Sequence, residues 1–81
     1  MTTDQRHRVA EVLTRLGVHP DEALAFGEAV EEATGGHPLP NTIQTKRKLT
    51  LAVGREVYQG RLAGIQGTMG EVATDLLVVL T

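Results

Sequence analysis

Leu49-Thr50-Leu51-Ala52-Val53-Gly54-Arg55-Glu56-Val57-Tyr58-Gln59-Gly60, continued by Arg61-Leu62-Ala63-Gly64-Ile65-Gln66-Gly67-Thr68-Met69-Gly70, decides the fold, because it fits two periods at once. Leu49, Leu51 and Val53 alternate with Lys48, Thr50 and Ala52, the period of two of a half-buried strand. Gly54-Arg55 has the glycine-first form of a two-residue hairpin turn. Glu56 to Gln66 then runs back with Tyr58 opposite Leu51, Gly67-Thr68-Met69-Gly70 turns again, and Glu71 to Leu80 forms a third strand.

The same residues also carry a helical pattern. Leu51, Tyr58, Leu62, Ile65, Met69, Val72, Leu76 and Val79 mostly follow alternating steps of four and three, as on a coiled-coil helix. Gly54, Gly60, Gly64, Gly67 and Gly70 weigh against it. A glycine in a helix interior costs about 0.8–1 kcal/mol relative to alanine, so these together cost about 4–5 kcal/mol, comparable to the stability of a small domain. Turns and bulges use glycine more readily. The expectation for 42–81 is therefore a glycine-punctuated, three-stranded antiparallel meander. The alternative is an all-α oligomer with a long C-terminal helix.

The third strand would be apolar on both sides. Val72, Thr74, Leu76, Val78 and Leu80 point one way, and Ala73, Leu77 and Val79 the other. One helical layer covers one sheet face, so Leu77 and Val79 are candidates for self-association in a homodimer or higher homo-oligomer.

Upstream, a connector at 37–41 (His37-Pro38-Leu39-Pro40-Asn41) separates this half from residues 1–36, which read as a helical hairpin. Thr2 and Gln5 have capping-box spacing, and Val9, Val12, Leu13 and Leu16 make one apolar stripe. Gly17 ends the first helix, with Val18 packing back, and His19-Pro20-Asp21-Glu22 starts a second with proline at the first position. Ala23, Phe26, Gly27, Val30 and Ala33 make its inner stripe, Glu28, Glu31 and Glu32 its solvent face, and Gly35-Gly36 stops it. The expected fold class is thus α+β, one domain over 1–81, with the hairpin packed on the meander.

Composition narrows the function more than it defines it. Phe26 and Tyr58 are the aromatics and cysteine is absent, so neither disulfides nor thiolate metal sites reinforce a core of small apolar residues. Residues 1–40 hold three Lys/Arg against seven acids, a net −4; residues 41–81 hold five against three, a net +2. The N-terminal stretch is polar and the longest apolar run is Leu76 to Leu80, so a cytoplasmic protein with no membrane partner is expected.

Catalysis has little to work with. Serine and cysteine are both missing, and His7, His19 and His37 lack metal-ligand spacing. Gly64-x-x-Gly67-x-x-Gly70 has neither the Lys-Ser/Thr of a phosphate loop nor dinucleotide spacing. No catalytic residue, cofactor or metal is expected. Two charged surfaces remain: the acidic second helix (Glu28, Glu31, Glu32), and a basic stripe of Lys46, Arg47, Lys48, Arg55 and Arg61 with Tyr58. The stripe suits a nucleic-acid backbone, although such binders carry more aromatics and a positive net charge.

The segments Gly54-Arg55-Glu56-Val57, Gly60-Arg61-Leu62-Ala63-Gly64-Ile65 and Met69-Gly70 resemble the first motif of Sm-like proteins, over about a quarter of the chain. That resemblance implies a five-stranded barrel assembled into RNA-binding rings. Gln66 stands where the family has aspartate and Gly70 where it has its base-contacting asparagine. We take no fold from it. The functional expectation is a small non-enzymatic, homo-oligomeric protein-binding module (a regulator, inhibitor or assembly factor), with a nucleic-acid-binding module as the alternative.

Overall fold

A computed structural model describes residues 3–81, with side chains from Gln5 onward. Helices α1 (Thr3–Arg15), α2 (Pro20–Thr34), α3 (Ile43–Tyr58) and α4 (Met69–Leu80) make up its regular structure. Each begins or ends where local chemistry says it should. The α1 helix closes on Gly17, and Val18 N–H returns to the Leu13 carbonyl at 3.0 Å. Pro20 opens α2 behind His19, whose Nδ1 accepts from Asp21 N–H at 3.1 Å. Thr42 caps α3, its hydroxyl accepting from Thr45 N–H at 3.2 Å. A reciprocal capping box starts α4: Glu71 N–H donates to the Thr68 hydroxyl at 3.2 Å, and Thr68 N–H to Glu71 Oε1 at 2.8 Å.

The α+β expectation is overturned, since the described residues contain four helices and no strand. The three-stranded meander over 42–81 is instead α3, an irregular loop at 59–68, and α4. Leu49 and Val53 satisfy a period of two, but they also stand at i and i+4. With Thr45 one turn earlier they form the buried stripe of α3, while Leu51 between them faces solvent. The all-α class of the alternative holds among the described residues, but its single long C-terminal helix is not formed. The cost charged against it assumed five interior glycines. Gly54 lies inside α3 and Gly70 in the first turn of α4, whereas Gly60, Gly64 and Gly67 sit in the intervening loop at positive φ. The segments that resemble the Sm-like motif are the end of α3, this loop and the start of α4, so they carry no barrel strand.

One apolar core joins the helices. It is built from Val9, Val12, Leu13 and Val18, Ala23 and Phe26, Leu49 and Val53, Leu62, and Val72, Ala73, Leu76 and Leu80. The α1 helix packs on α2 and α3 on α4, and α1 also lies against α4, which ties the two hairpins together. Gly27 permits the first pairing, because a Cβ there would stand 2.4 Å from the backbone oxygen of Arg6. Two bonds distant in sequence hold the connector. Leu39 N–H donates to the Leu80 carbonyl at 2.8 Å, and the His37 carbonyl accepts from Gln5 Nε2 at 3.1 Å. Gln5 Oε1 also accepts from the Thr34 hydroxyl at 2.8 Å, so this buried amide bridges α1 to the connector. The capping box expected at Thr2 lies outside the described residues.

Two glycine substitutions test this packing. Gly27→Ala drives a methyl into backbone and should cost about 1–3 kcal/mol, lowering Tm by about 4–8 °C per kcal/mol in a chain of this size. Gly70→Ala meets nothing within 4 Å and should be neutral or stabilising, by up to about 1 kcal/mol. Thermal melts followed by far-UV circular dichroism separate the two, and equal melting of Gly27→Ala and wild type would rule out the close α1–α2 approach.

Candidate functional site

Helix α3 buries one face and leaves the opposite one bare. Thr45, Leu49 and Val53 turn inward toward α4. At about 100° per residue, Ile43, Arg47, Leu51, Gly54 and Tyr58 share a single outer sector about 22 Å long, with Lys48 and Arg55 along one border and Lys46 along the other. The three large apolar residues of that sector are well exposed: Ile43 at 68%, Leu51 at 67% and Tyr58 at 92%. A shallow hollow of about 460 Å³ lies between Ile43, Lys46, Arg47, Thr50 and Leu51. Isolated exposed apolar side chains are ordinary, but three aligned on one helix and interleaved with cations form a patch.

The basic stripe read from the sequence thus divides. Lys46, Arg47, Lys48 and Arg55 are exposed, and none forms an ion pair among the described residues. Tyr58 stands beside them. Arg61 is engaged elsewhere: its Nε donates to Glu56 Oε1 at 2.8 Å, its Nη2 to Glu56 Oε2 at 2.9 Å, and it also bonds the Gln59 amide oxygen. Its own N–H reaches the Glu56 carbonyl at 2.9 Å, so Arg61 staples the end of α3 to the loop. The hydrogen bond from its guanidinium, helped by the charges of Arg61 and Arg55 and opposed by desolvation, holds the Glu56 carboxyl below its ordinary range.

The acidic candidates on α2 are dissimilar. Glu32 is exposed, and Glu28 approaches Arg6 at 3.7 Å. Glu31 was expected to face water, but it is half-buried and its Oε2 is sealed from solvent without a hydrogen-bond partner. These three acids therefore do not make a uniform docking face. On α4, Leu77 and Val79 are half-buried and pack against the core, while Val78 between them is 74% exposed.

Ile43, Leu51 and Val78 are the exposed apolar residues that belong to no candidate surface read from the sequence. Ile43 directly follows the Thr42 cap, and recognising that cap would have placed it on the first turn of a helix. Among the described residues no three or more His, Asp or Glu gather as a metal site, and no helix is long and apolar enough to cross a membrane. His19 serves as the cap of α2. No protein-family model, curated protein or solved structure matches this chain.

Acid should weaken the fold through two carboxylates. Glu56 is lowered by Arg61, and Glu71 by the Thr68 N–H and hydroxyl of its capping box. A carboxylate whose folded pKa lies below its unfolded value stabilises fully above the unfolded value, and that stability is lost as pH falls through the folded pKa. Melting midpoints should hold down to about pH 5 and fall below it. Arg61→Met should lower the melting midpoint slightly near neutrality and flatten part of the acid-side decline. Parallel curves for the two proteins would show that the Glu56–Arg61 pair adds no pH dependence.

Proposed function

We propose that this protein is a small non-enzymatic docking module that binds another protein through the outer face of α3. Its occupant is an acidic, amphipathic segment of that partner. The observation that carries this reading is the alignment of Ile43, Leu51 and Tyr58, all strongly exposed, with Lys46, Arg47, Lys48 and Arg55 around them. A helix laid along α3 would cover the apolar residues with its own and set its acids against the flanking cations. A regulator, inhibitor or assembly factor works through such a surface.

Nucleic acid suits the face less well. Phosphate contacts use cations and leave Ile43 and Leu51 without a reason to be exposed. The rest of the surface is also unwelcoming to a polyanion, because residues 1–40 carry a net −4. Arg61, the fifth cation of the stripe, is already engaged by Glu56.

The chain offers its own reporter, having one tyrosine, Tyr58, and no tryptophan. A photo-crosslinker placed at Leu51 should capture, from lysate of the native cell, a protein whose crosslinked segment is acidic and amphipathic. A peptide of that segment should perturb Tyr58 emission on titration. Leu51→Glu or Arg47→Glu should weaken its binding at least tenfold, the loss of about 1.4 kcal/mol expected for a contact at the centre of an interface. Salt-sensitive binding of an oligonucleotide that survives Leu51→Glu would instead establish the nucleic-acid alternative.

A further inference from the structure

A second surface lies where α1 and α4 meet. Val12, Arg15 and Leu16 from α1 and Asp75, Val78 and Val79 from α4 line a groove of about 360 Å³. Both triplets have i, i+3, i+4 spacing, so each helix presents one ridge to the groove. Val12 is buried at its floor, Leu16 and Val79 are half-buried in its walls, and Val78 stands at the edge. Its lining includes one cation and one anion. Arg15 meets only Glu11, at 3.8 Å with both side chains well exposed, a weak pairing that is free to exchange. Asp75 forms no ion pair among the described residues.

We infer that this groove is a self-complementary interface through which two copies of the chain pair about a two-fold axis, Arg15 of each copy meeting Asp75 of the other. An isologous contact requires a patch that is its own complement. A rim of a single sign selects a partner of the opposite sign; the α3 face has such a rim. An apolar floor flanked by one charge of each sign answers itself after a half-turn, and the crossed ion pairs fix the register. The chain also has a motive for pairing. It folds 81 residues around small apolar side chains with no disulfide. This interface is independent of the α3 docking face and stands whether or not that reading survives. If both hold, the dimer displays two α3 faces and binds a bivalent partner more tightly than either face alone.

Sedimentation equilibrium on the full chain, from micromolar to millimolar concentration, tests the pairing. The wild-type mass should rise from 8.7 kDa toward twice that value. Arg15→Glu and Asp75→Lys should each remain monomeric, because each sets like charges together at both crossed contacts. Mixed in equal amounts, the two variants should recover the dimer, since the mixed pair has opposite charges at both contacts. Circular dichroism confirms that each variant is folded. Should Arg15→Glu lose its helical signal, Val78→Asp takes its place and must abolish the dimer. The inference is overturned by a wild-type monomer at millimolar concentration, by a dimer indifferent to these substitutions, or by two folded monomeric variants that do not recover the dimer on mixing.

Discussion

The loop between α3 and α4 can lie against the turn between α1 and α2 only because glycine stands on both sides of the contact. A Cβ on Gly17 would fall 2.7 Å from the Gly64 carbonyl oxygen, and one on Gly64 would fall 3.0 Å from the Gly17 carbonyl oxygen. Both residues also have positive φ, a conformation that other residues adopt at a cost. Beside them, Gln66 N–H donates to the Leu16 carbonyl at 2.8 Å, satisfying an acceptor that the end of α1 would otherwise leave open. Leu62 clamps the same loop from inside. It is 1% exposed and holds φ +56°, so its burial outweighs the strain of a left-handed backbone. This joint stands beside the packing of α4 on α1, whose meeting forms a groove.

The first hairpin was legible because its punctuation is strong and local. Gly17, Pro20 and Gly35 stand at helix boundaries, and the stripe Val9, Val12, Leu13 is too long to be mistaken for a strand. The second hairpin is ambiguous because its apolar window is too short to decide the period. In Leu49-Thr50-Leu51-Ala52-Val53, the pairs i, i+2 and i, i+4 are both apolar, and only the α4 surface beneath Leu49 and Val53 chooses between them. Two local signals favoured helices nonetheless. Thr68-Met69-Gly70-Glu71 has the Thr-x-x-Glu form of a capping box, and Thr42 follows Pro40-Asn41 as a cap should. Five glycines argue against one long helix, but three of them, Gly60, Gly64 and Gly67, mark the gap between two.

The same ambiguity of period hid the candidate site. Lys46, Arg47, Lys48, Arg55 and Tyr58 are visible in the sequence as a basic run with one aromatic. As a strand, however, that run buries Leu51; as a helix it exposes Leu51 beside Ile43 and Tyr58. The apolar half of the patch therefore appears only once the backbone is known to be helical. Arg61 could not be separated from the run by sequence, because its bond to Glu56 depends on the chain reversing after Tyr58. The earlier motive for self-association, an uncovered sheet face, disappears with the sheet. What replaces it is more local: an exposed Val78 and two unlike charges on a groove between helices.

The two surfaces divide the chain's charge in a way the total conceals. A net charge of −2 suggests nothing in particular, yet α3 contributes Lys46, Arg47, Lys48 and Arg55 to one exposed side while α2 carries the excess acid. Because α3 packs on α4 and not on the acidic hairpin, this opposite charge is not neutralised within the fold. The second hairpin meets the first through α4 on α1 and through the joint at Gly17 and Gly64. A basic, partly apolar helix face thus remains turned to solvent, and exposed Ile43, Leu51 and Tyr58 gain by burial against whatever brings matching acids to it.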